Sequence, residues 1–160
     1  MKELRIETVF QVFENVSELP KDVRLLMEKA KKARAKAYAP YSNFTVGAAL
    51  EMANGEIITG NNQENASYPS GLCAERTAIY YAGATYPGVK ILKMAITAGA
   101  VKGETNTPIP PCGACRQAIA EYEVNQKLPI EIYFMGTTGK VLKSNSLENL
   151  LPLIFDKTEL

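Results

Sequence analysis

The chain has 160 residues, of which 46% are hydrophobic and 22% are charged, and this is the composition of a globular domain, not of a disordered chain. Its 18 basic and 17 acidic side chains leave a formal net charge of +1, which argues against a protein built mainly to hold nucleic acid or a charged membrane surface. Histidine is absent, so Ser-His-Asp catalysis, Cys-His catalysis and HExxH zinc chemistry are excluded.

The first part of the chain changes its hydrophobic period twice. Apolar residues near the N-terminus share one parity, which favours a strand, and apolar residues after Pro20 recur at helical spacing as far as Pro40. An Asn54-Gly55 pair between two apolar runs is typical of a hairpin turn. We therefore predict a strand over residues 4–13, a helix over residues 21–37, and a hairpin of strands over residues 44–52 and 56–60.

The second part of the chain alternates helical and strand patterns, with loops rich in Gly, Pro and polar residues between them. The predicted elements are helices over residues 74–84 and 112–123, strands over 91–98, 130–135 and 141–143, and a short helix over 147–154 with Ser146 as its N-cap. No repeat or linker divides the chain. We predict an N-terminal extension over residues 1–20 and one domain over residues 21–160, an α/β protein that forms a three-layer α/β/α sandwich around a mixed sheet.

Three cysteines carry the clearest chemical signal. Cys112 and Cys115 form a CxxC motif at a predicted helix start, which fits a redox dithiol, half of a zinc site or two buried thiols. Cys73 also directly precedes a predicted helix, and Glu75 follows it. Both cysteine positions favour thiolates, because the positive end of a helix dipole lies at the helix N-terminus. Three thiolates would leave one position of a tetrahedral zinc ion open, which is typical of catalytic zinc.

The cysteine count and the N-terminal residues also indicate a compartment. Three cysteines do not make a secreted disulfide framework, and the first residues lack the apolar core of a signal peptide. No apolar run is long enough to cross a bilayer. We therefore expect a cytoplasmic protein without a membrane partner.

Four sequence blocks extend the cysteine signal. They are Tyr38–Ala49, Gly60–Ala66, Cys73–Ala78 and Pro111–Gln117. In this order they resemble the cytidine deaminase family in its small, three-cysteine, homotetrameric form, over about residues 25–155. The resemblance implies a cytidine deaminase-like fold and hydrolytic deamination of cytidine and deoxycytidine to uridine and deoxyuridine plus ammonia, in pyrimidine salvage. It also implies one Zn²⁺ per chain, whose bound hydroxide attacks C4 of the base.

The resemblance assigns a role to each candidate site residue. Zinc is held by Cys73, Cys112 and Cys115, with Glu75 as the catalytic proton carrier and Arg76 offsetting the thiolate charge. The implied substrate-binding residues are Phe44 for the base, Asn62 and Glu64 for the ribose 3′-hydroxyl, Ala74, and Phe155. Phe155 would serve its own site or that of a neighbouring subunit, so the implied partners are a nucleoside substrate and copies of this chain in a homotetramer with shared active sites.

Each of these residues also has a plainer interpretation. Glu75 fits an exposed first-turn glutamate, Asn62 and Glu64 fit ordinary loop residues, and a phenylalanine usually fills a core. The basic stretch over residues 29–36 favours a solvated helix face over a nucleic-acid site, so we expect no nucleic-acid partner. Two other functions stay open: a deaminase of another aminopyrimidine nucleoside, of the blasticidin S type, and a non-catalytic zinc-stabilised or redox dithiol module.

Overall fold

Six strands form one mixed sheet at the centre of the structure, a computed structural model that describes residues 1–157. In the sheet the strands lie in the order β1-β6-β5-β4-β2-β3, where only β4 and β5 run parallel. Their bounds are β1 Gln11–Phe13, β2 Phe44–Met52, β3 Ile57–Asn61, β4 Ile91–Ala100, β5 Glu131–Met135 and β6 Val141–Ser144.

Three helices cover the two faces of this sheet. They are α1 Lys21–Arg34, α2 Ala74–Thr85 and α3 Gly113–Gln126. One apolar cluster packs α1 against one face, and a second, larger cluster packs α2 and α3 against the other. This arrangement confirms the three-layer α/β/α sandwich with a mixed sheet. Within residues 1–157, none of the helices has the length and apolarity needed to span a membrane.

Two glycines let the helices approach the sheet closely. A Cβ atom on Gly47 of β2 would lie 2.1 Å from the carbonyl oxygen of Ala30 in α1. A Cβ atom on Gly60 of β3 would lie 2.5 Å from the carbonyl oxygen of Ala74 in α2. These distances are shorter than any real contact, so glycine is required at both positions. The close approach at Gly60 fixes the N-terminus of α2 against the sheet.

The central elements confirm the predicted order, and the ends of the chain correct it. The N-terminal strand spans only Gln11–Phe13, because just these residues pair with β6, and residues 1–9 are exposed. Phe10 nevertheless packs edge-on against Phe134, with ring centroids 6.3 Å apart. The predicted C-terminal helix over residues 147–154 is wrong, since only one 3₁₀ turn forms over Leu147–Asn149. Ser146 does cap that turn and accepts from the backbone N–H of Glu148.

A buried carboxylate links α3 to the two segments that follow it. Glu123 accepts hydrogen bonds from the backbone N–H groups of Ile130 and Leu147 and from the Ser146 hydroxyl, at 2.6 to 3.1 Å. These donors lie at the start of β5 and at the 3₁₀ turn. Glu123 therefore fixes the C-terminal end of α3 to the rest of the domain.

Candidate metal centre

The three cysteines meet where two helices begin. Cys73 is the N-cap of α2, Cys112 is the N-cap of α3, and Cys115 lies in the first turn of α3. The Cys112 Sγ lies 3.8 Å from the Cys73 Sγ and 3.5 Å from the Cys115 Sγ. All three sulfur atoms lie within 4.8 Å of one another. The helix packing thus brings together ligands that are far apart in sequence.

The sulfur positions fit a zinc ion. Zn–S bonds of about 2.3 Å in a tetrahedral site hold sulfur atoms about 3.8 Å apart, close to the spacing seen here. Three thiolates this close repel one another, so a cation is needed to keep them all ionised. No other His, Cys, Asp or Glu among residues 1–157 completes this cluster, so a bound zinc ion keeps one position for a non-protein ligand.

The thiols do not ionise equally without a cation. A hydrogen bond from Cys115 lowers the pKa of Cys73 to about 5 against the opposing effect of burial, and Arg76 acts in the same direction. That hydrogen bond, burial and the nearby negative charges raise the pKa of Cys115. The Arg76 Nη2 lies 3.8 Å from the Cys73 Sγ. The Arg76 guanidinium therefore lies beside the sulfur cluster.

Glu75 is buried beside the cysteines, which rules out the exposed first-turn glutamate. Glu75 is only 3% exposed, and its Oε2 atom has no hydrogen-bond partner among the described residues. Burial raises the pKa of Glu75 to about 7, and the charge on Cys73 adds to the increase. A buried carboxyl group with one free oxygen is suited to accept and return protons, not to stabilise the fold.

A cleft of about 410 Å³ opens next to Cys73 and Arg76. The loop after β3 and the loop before β2 form its walls, and a backbone bridge between Tyr38 and Gln63 holds the two loops side by side. Asn62 and Glu64 line the cleft, and their predicted contact with the ribose stays a prediction. Sequence reasoning missed six other side chains there, although all of them lie in or beside the recognised blocks: Tyr41, Ser42, Gln63, Asn65, Tyr68 and Leu72.

Asn62 holds the start of β2 in place, and Glu64 holds the loop before it. The Asn62 side chain accepts from the backbone N–H of Val46 at 2.7 Å and donates to the carbonyl oxygen of Phe44 at 2.9 Å. Glu64 accepts from the backbone N–H groups of Tyr41 and Ser42 and from the Ser42 hydroxyl. Neither residue is therefore an ordinary loop polar residue.

The three remaining candidates do not line this cleft. Ala74 is fully buried as the first residue of α2, directly between Cys73 and Glu75. Phe44 is half-buried at the start of β2, next to the cleft-lining loop. Phe155 is 60% exposed, and its carbonyl oxygen accepts from the Gln117 side chain on α3. The roles of these residues stay predictions.

A larger cleft lies elsewhere. It has a volume of about 930 Å³ and follows the outer surfaces of α2 and α3, with Tyr80, Tyr86 and Tyr122 among its lining residues. It contains none of the three cysteines, and of the predicted site residues only Arg76 borders it. The smaller cleft is therefore the one that adjoins the cysteine cluster, because Cys73 lines it.

The fold and the cysteine cluster define a zinc-binding α/β/α protein with a carboxylate beside its metal site. The family model described as "Cytidine and deoxycytidylate deaminase zinc-binding region" matches residues 20–129. The chain therefore belongs to this deaminase family, and the zinc interpretation of the CxxC motif, with one ion per chain, is confirmed.

Individual proteins show the same similarity. The chain is 43% identical to cytidine deaminase from Sporosarcina psychrophila over 139 residues, which cover 87% of this chain and 95% of the relative. It is 48% identical over 100 residues to cytidine deaminase from Halalkalibacterium halodurans, covering 62% and 71% of the two chains. The crystal structure of cytidine deaminase from Burkholderia pseudomallei superimposes with a TM-score of 0.72 at 43% identity, covering 86% of this chain and 100% of the other. The enzyme from Mycobacterium tuberculosis gives a TM-score of 0.65 at 32% identity, with 86% and 99% covered.

Proposed function

We propose that this protein hydrolyses cytidine and deoxycytidine, as free nucleosides, to uridine and deoxyuridine plus ammonia. The observation that carries the proposal is the position of Glu75. Its carboxyl group is buried next to three clustered cysteines, with one oxygen unpartnered in the described part of the chain. The relatives of matching length and fold that are named cytidine deaminase support the same reaction.

The chain's own residues account for the proton transfers. Zinc, when bound by Cys73, Cys112 and Cys115, supplies a Lewis acid that makes water acidic near neutral pH. Glu75 takes a proton from the attacking water and gives it to N3 of the pyrimidine ring. Glu75 then moves the water's second proton to the amino group on C4, which leaves as ammonia. Arg76 offsets the negative charge that three thiolates place on the site.

Residues of the smaller cleft bind the nucleoside in this proposal. Glu64 accepts a hydrogen bond from the ribose 3′-hydroxyl, and the second N–H of the Asn62 amide donates to that hydroxyl oxygen. Phe44 provides a stacking face for the base. Ala74 borders the base through its backbone, because its side chain is only a methyl group between Cys73 and Glu75.

We also propose a homotetramer with shared active sites. The cleft is open on one side, and a domain of this size does not enclose a nucleoside with its own loops. Tyr80 and Tyr81 on α2 are exposed, beside the larger cleft on α2 and α3, and this surface is suited to contact another subunit. Phe155, which is exposed near α3, would reach its own or a neighbouring site. A fully active monomer in light scattering would contradict this assembly.

The cellular setting and the domain boundaries are also proposals. Free nucleosides as substrates suit pyrimidine salvage, and three free thiols suit the reducing cytoplasm. We assign the deaminase domain to residues 21–160 and treat residues 1–20 as an extension that adds β1 to the sheet.

Ultraviolet monitoring of the zinc-loaded protein with cytidine, deoxycytidine, cytosine and dCMP tests the proposal. We expect turnover of the two nucleosides, and much weaker turnover of cytosine, because cytosine has no ribose for Glu64 to bind. Zinc content is measured on the same preparation. Protein that holds one zinc ion per chain and turns over neither nucleoside would contradict the proposed function and would favour the non-catalytic module.

A further inference from the structure

We infer that Ser42 is a positioning residue that orients the Glu64 carboxylate and thereby makes the site select nucleosides with a free 3′-hydroxyl. The inference rests on the proposed function, because it concerns how the same cleft reads its substrate. Ser42 lies in the loop between α1 and β2, and its side chain lines the cleft next to Glu64.

The loop before β2 occupies most of the accepting capacity of Glu64. The Oε2 atom accepts from the backbone N–H groups of Tyr41 at 2.9 Å and Ser42 at 3.2 Å, and Oε1 accepts from the Ser42 hydroxyl. A carboxylate has about four acceptor positions, so these three donors leave about one, on Oε1. The Ser42 hydroxyl is the only donor to Oε1 among the described residues. It therefore decides where the remaining acceptor position points.

The direction of the Ser42 hydroxyl is itself fixed. Its oxygen accepts from the backbone N–H of Phe44 at 3.0 Å, and its single proton points to Glu64, since the alternative acceptor, the Phe44 carbonyl oxygen, is farther away at 3.5 Å. Asn43, with a φ of 53°, turns the chain back so that these contacts form. The N–H of Phe44, the hydroxyl of Ser42 and the carboxylate of Glu64 thus form one chain of hydrogen bonds.

Other contacts hold the surrounding backbone without the Ser42 side chain. Asn62 binds Phe44 and Val46, and the backbone N–H of Val101 donates to the carbonyl oxygen of Asn43 at 2.8 Å. The two backbone donors to Oε2 also stay when the hydroxyl is removed. A Ser42→Ala substitution is therefore expected to free Oε1 of Glu64 while the loop keeps its position. The Ser42 hydrogen bond also lowers the pKa of Glu64.

The test compares two substrates that differ only at the 3′ position. We measure kcat and KM for cytidine and for 3′-deoxycytidine in the zinc-loaded wild type, Ser42→Ala and Ser42→Thr, with Ser17→Ala as a matched control on the exposed N-terminal segment. We expect the wild-type preference for cytidine to fall about tenfold in Ser42→Ala, because a hydrogen bond to a charged group contributes this much or more. The loss should appear in the cytidine values and spare 3′-deoxycytidine. Ser42→Thr should restore the preference, and Ser17→Ala should keep it.

Two kinetic results for Ser42→Ala would overturn the inference. One is an equal loss for both substrates in Ser42→Ala, which would show a general structural role, and the other is an unchanged preference. The affinities of uridine and 3′-deoxyuridine, measured by calorimetry on the same proteins, give the preference without turnover. If the wild type binds uridine more tightly than 3′-deoxyuridine but lacks turnover, the proposed function is contradicted. The binding preference of Ser42→Ala then still tests the role of Ser42. Equal wild-type affinity for both would overturn the inference itself.

Discussion

Arg76 offers a direct test of how charge is balanced at the metal centre. Three thiolates and one Zn²⁺ carry a net charge of −1, and the Arg76 guanidinium, 3.8 Å from the Cys73 sulfur, brings the local charge to zero. At about 4 Å and an effective dielectric constant near 20, one unit charge contributes about 4 kcal/mol at most. Solvent reaches part of Arg76, so we expect Arg76→Gln to lose a fraction of this, about 10–100-fold in kcat/KM and in zinc affinity.

The assay measures zinc retention against a chromophoric chelator and cytidine turnover on the same preparation of Arg76→Gln. Arg24→Gln is the matched control, because Arg24 is exposed on α1 and its side chain donates a hydrogen bond to the carbonyl oxygen of Ser17, far from the cysteines. Arg24→Gln should keep the zinc affinity and the cytidine turnover of the wild type. Unchanged zinc affinity and unchanged turnover in Arg76→Gln would refute the charge argument.

Two further predictions concern stability. Glu123→Gln replaces an acceptor oxygen among buried donors with an amide group, so it should lower the free energy of unfolding by about 1–3 kcal/mol. The control is Glu121→Gln, which is exposed on the same helix and should change the free energy of unfolding by less than about 0.5 kcal/mol. Urea unfolding measures both variants, and equal losses would contradict the role of Glu123. Burial alone would raise the pKa of Glu131, but hydrogen bonds from Lys143 and Tyr133 hold that pKa below its usual value. The Glu131 carboxylate therefore stabilises the fold at pH values above its unfolded pKa of about 4.3, and this stabilisation is lost as the pH falls through the folded pKa. Glu131→Gln should therefore destabilise the protein at pH 7 and lose this difference in acid, and a difference that persists in acid would contradict the assignment.

The central elements could be predicted because local patterns and packing agree there. The helical spacing after Pro20, the Asn54-Gly55 turn and the long apolar runs all matched the observed sheet and helices. The ends of the chain could not be predicted as well. Alternating apolar residues suggested a strand from residue 4, but β6 offers partners only to Gln11–Phe13. The apolar run after Ser146 suggested a helix, but its residues pack as a 3₁₀ turn and irregular chain.

The metal site was predictable because its ligands are three rare residues at helix starts. The cleft was predictable only in part. Asn62 and Glu64 stood out in the sequence through family resemblance, but their contacts to the loop before β2 depend on tertiary structure. Nothing in the sequence marks Ser42 as a donor to Glu64, since the two residues meet only when the loops that carry them run side by side.

Zinc-loaded Glu75→Gln separates proton transfer from metal binding. Glutamine keeps the shape of the side chain but cannot accept and return protons, and Glu75 is not among the metal ligands. We predict one zinc ion per chain, cytidine binding close to that of the wild type, and a fall in kcat of about 10⁴-fold, the upper end for a single acid-base group. Turnover near the wild-type rate would contradict the account, and loss of zinc together with activity would make Glu75 a structural anchor of the site instead of its proton carrier.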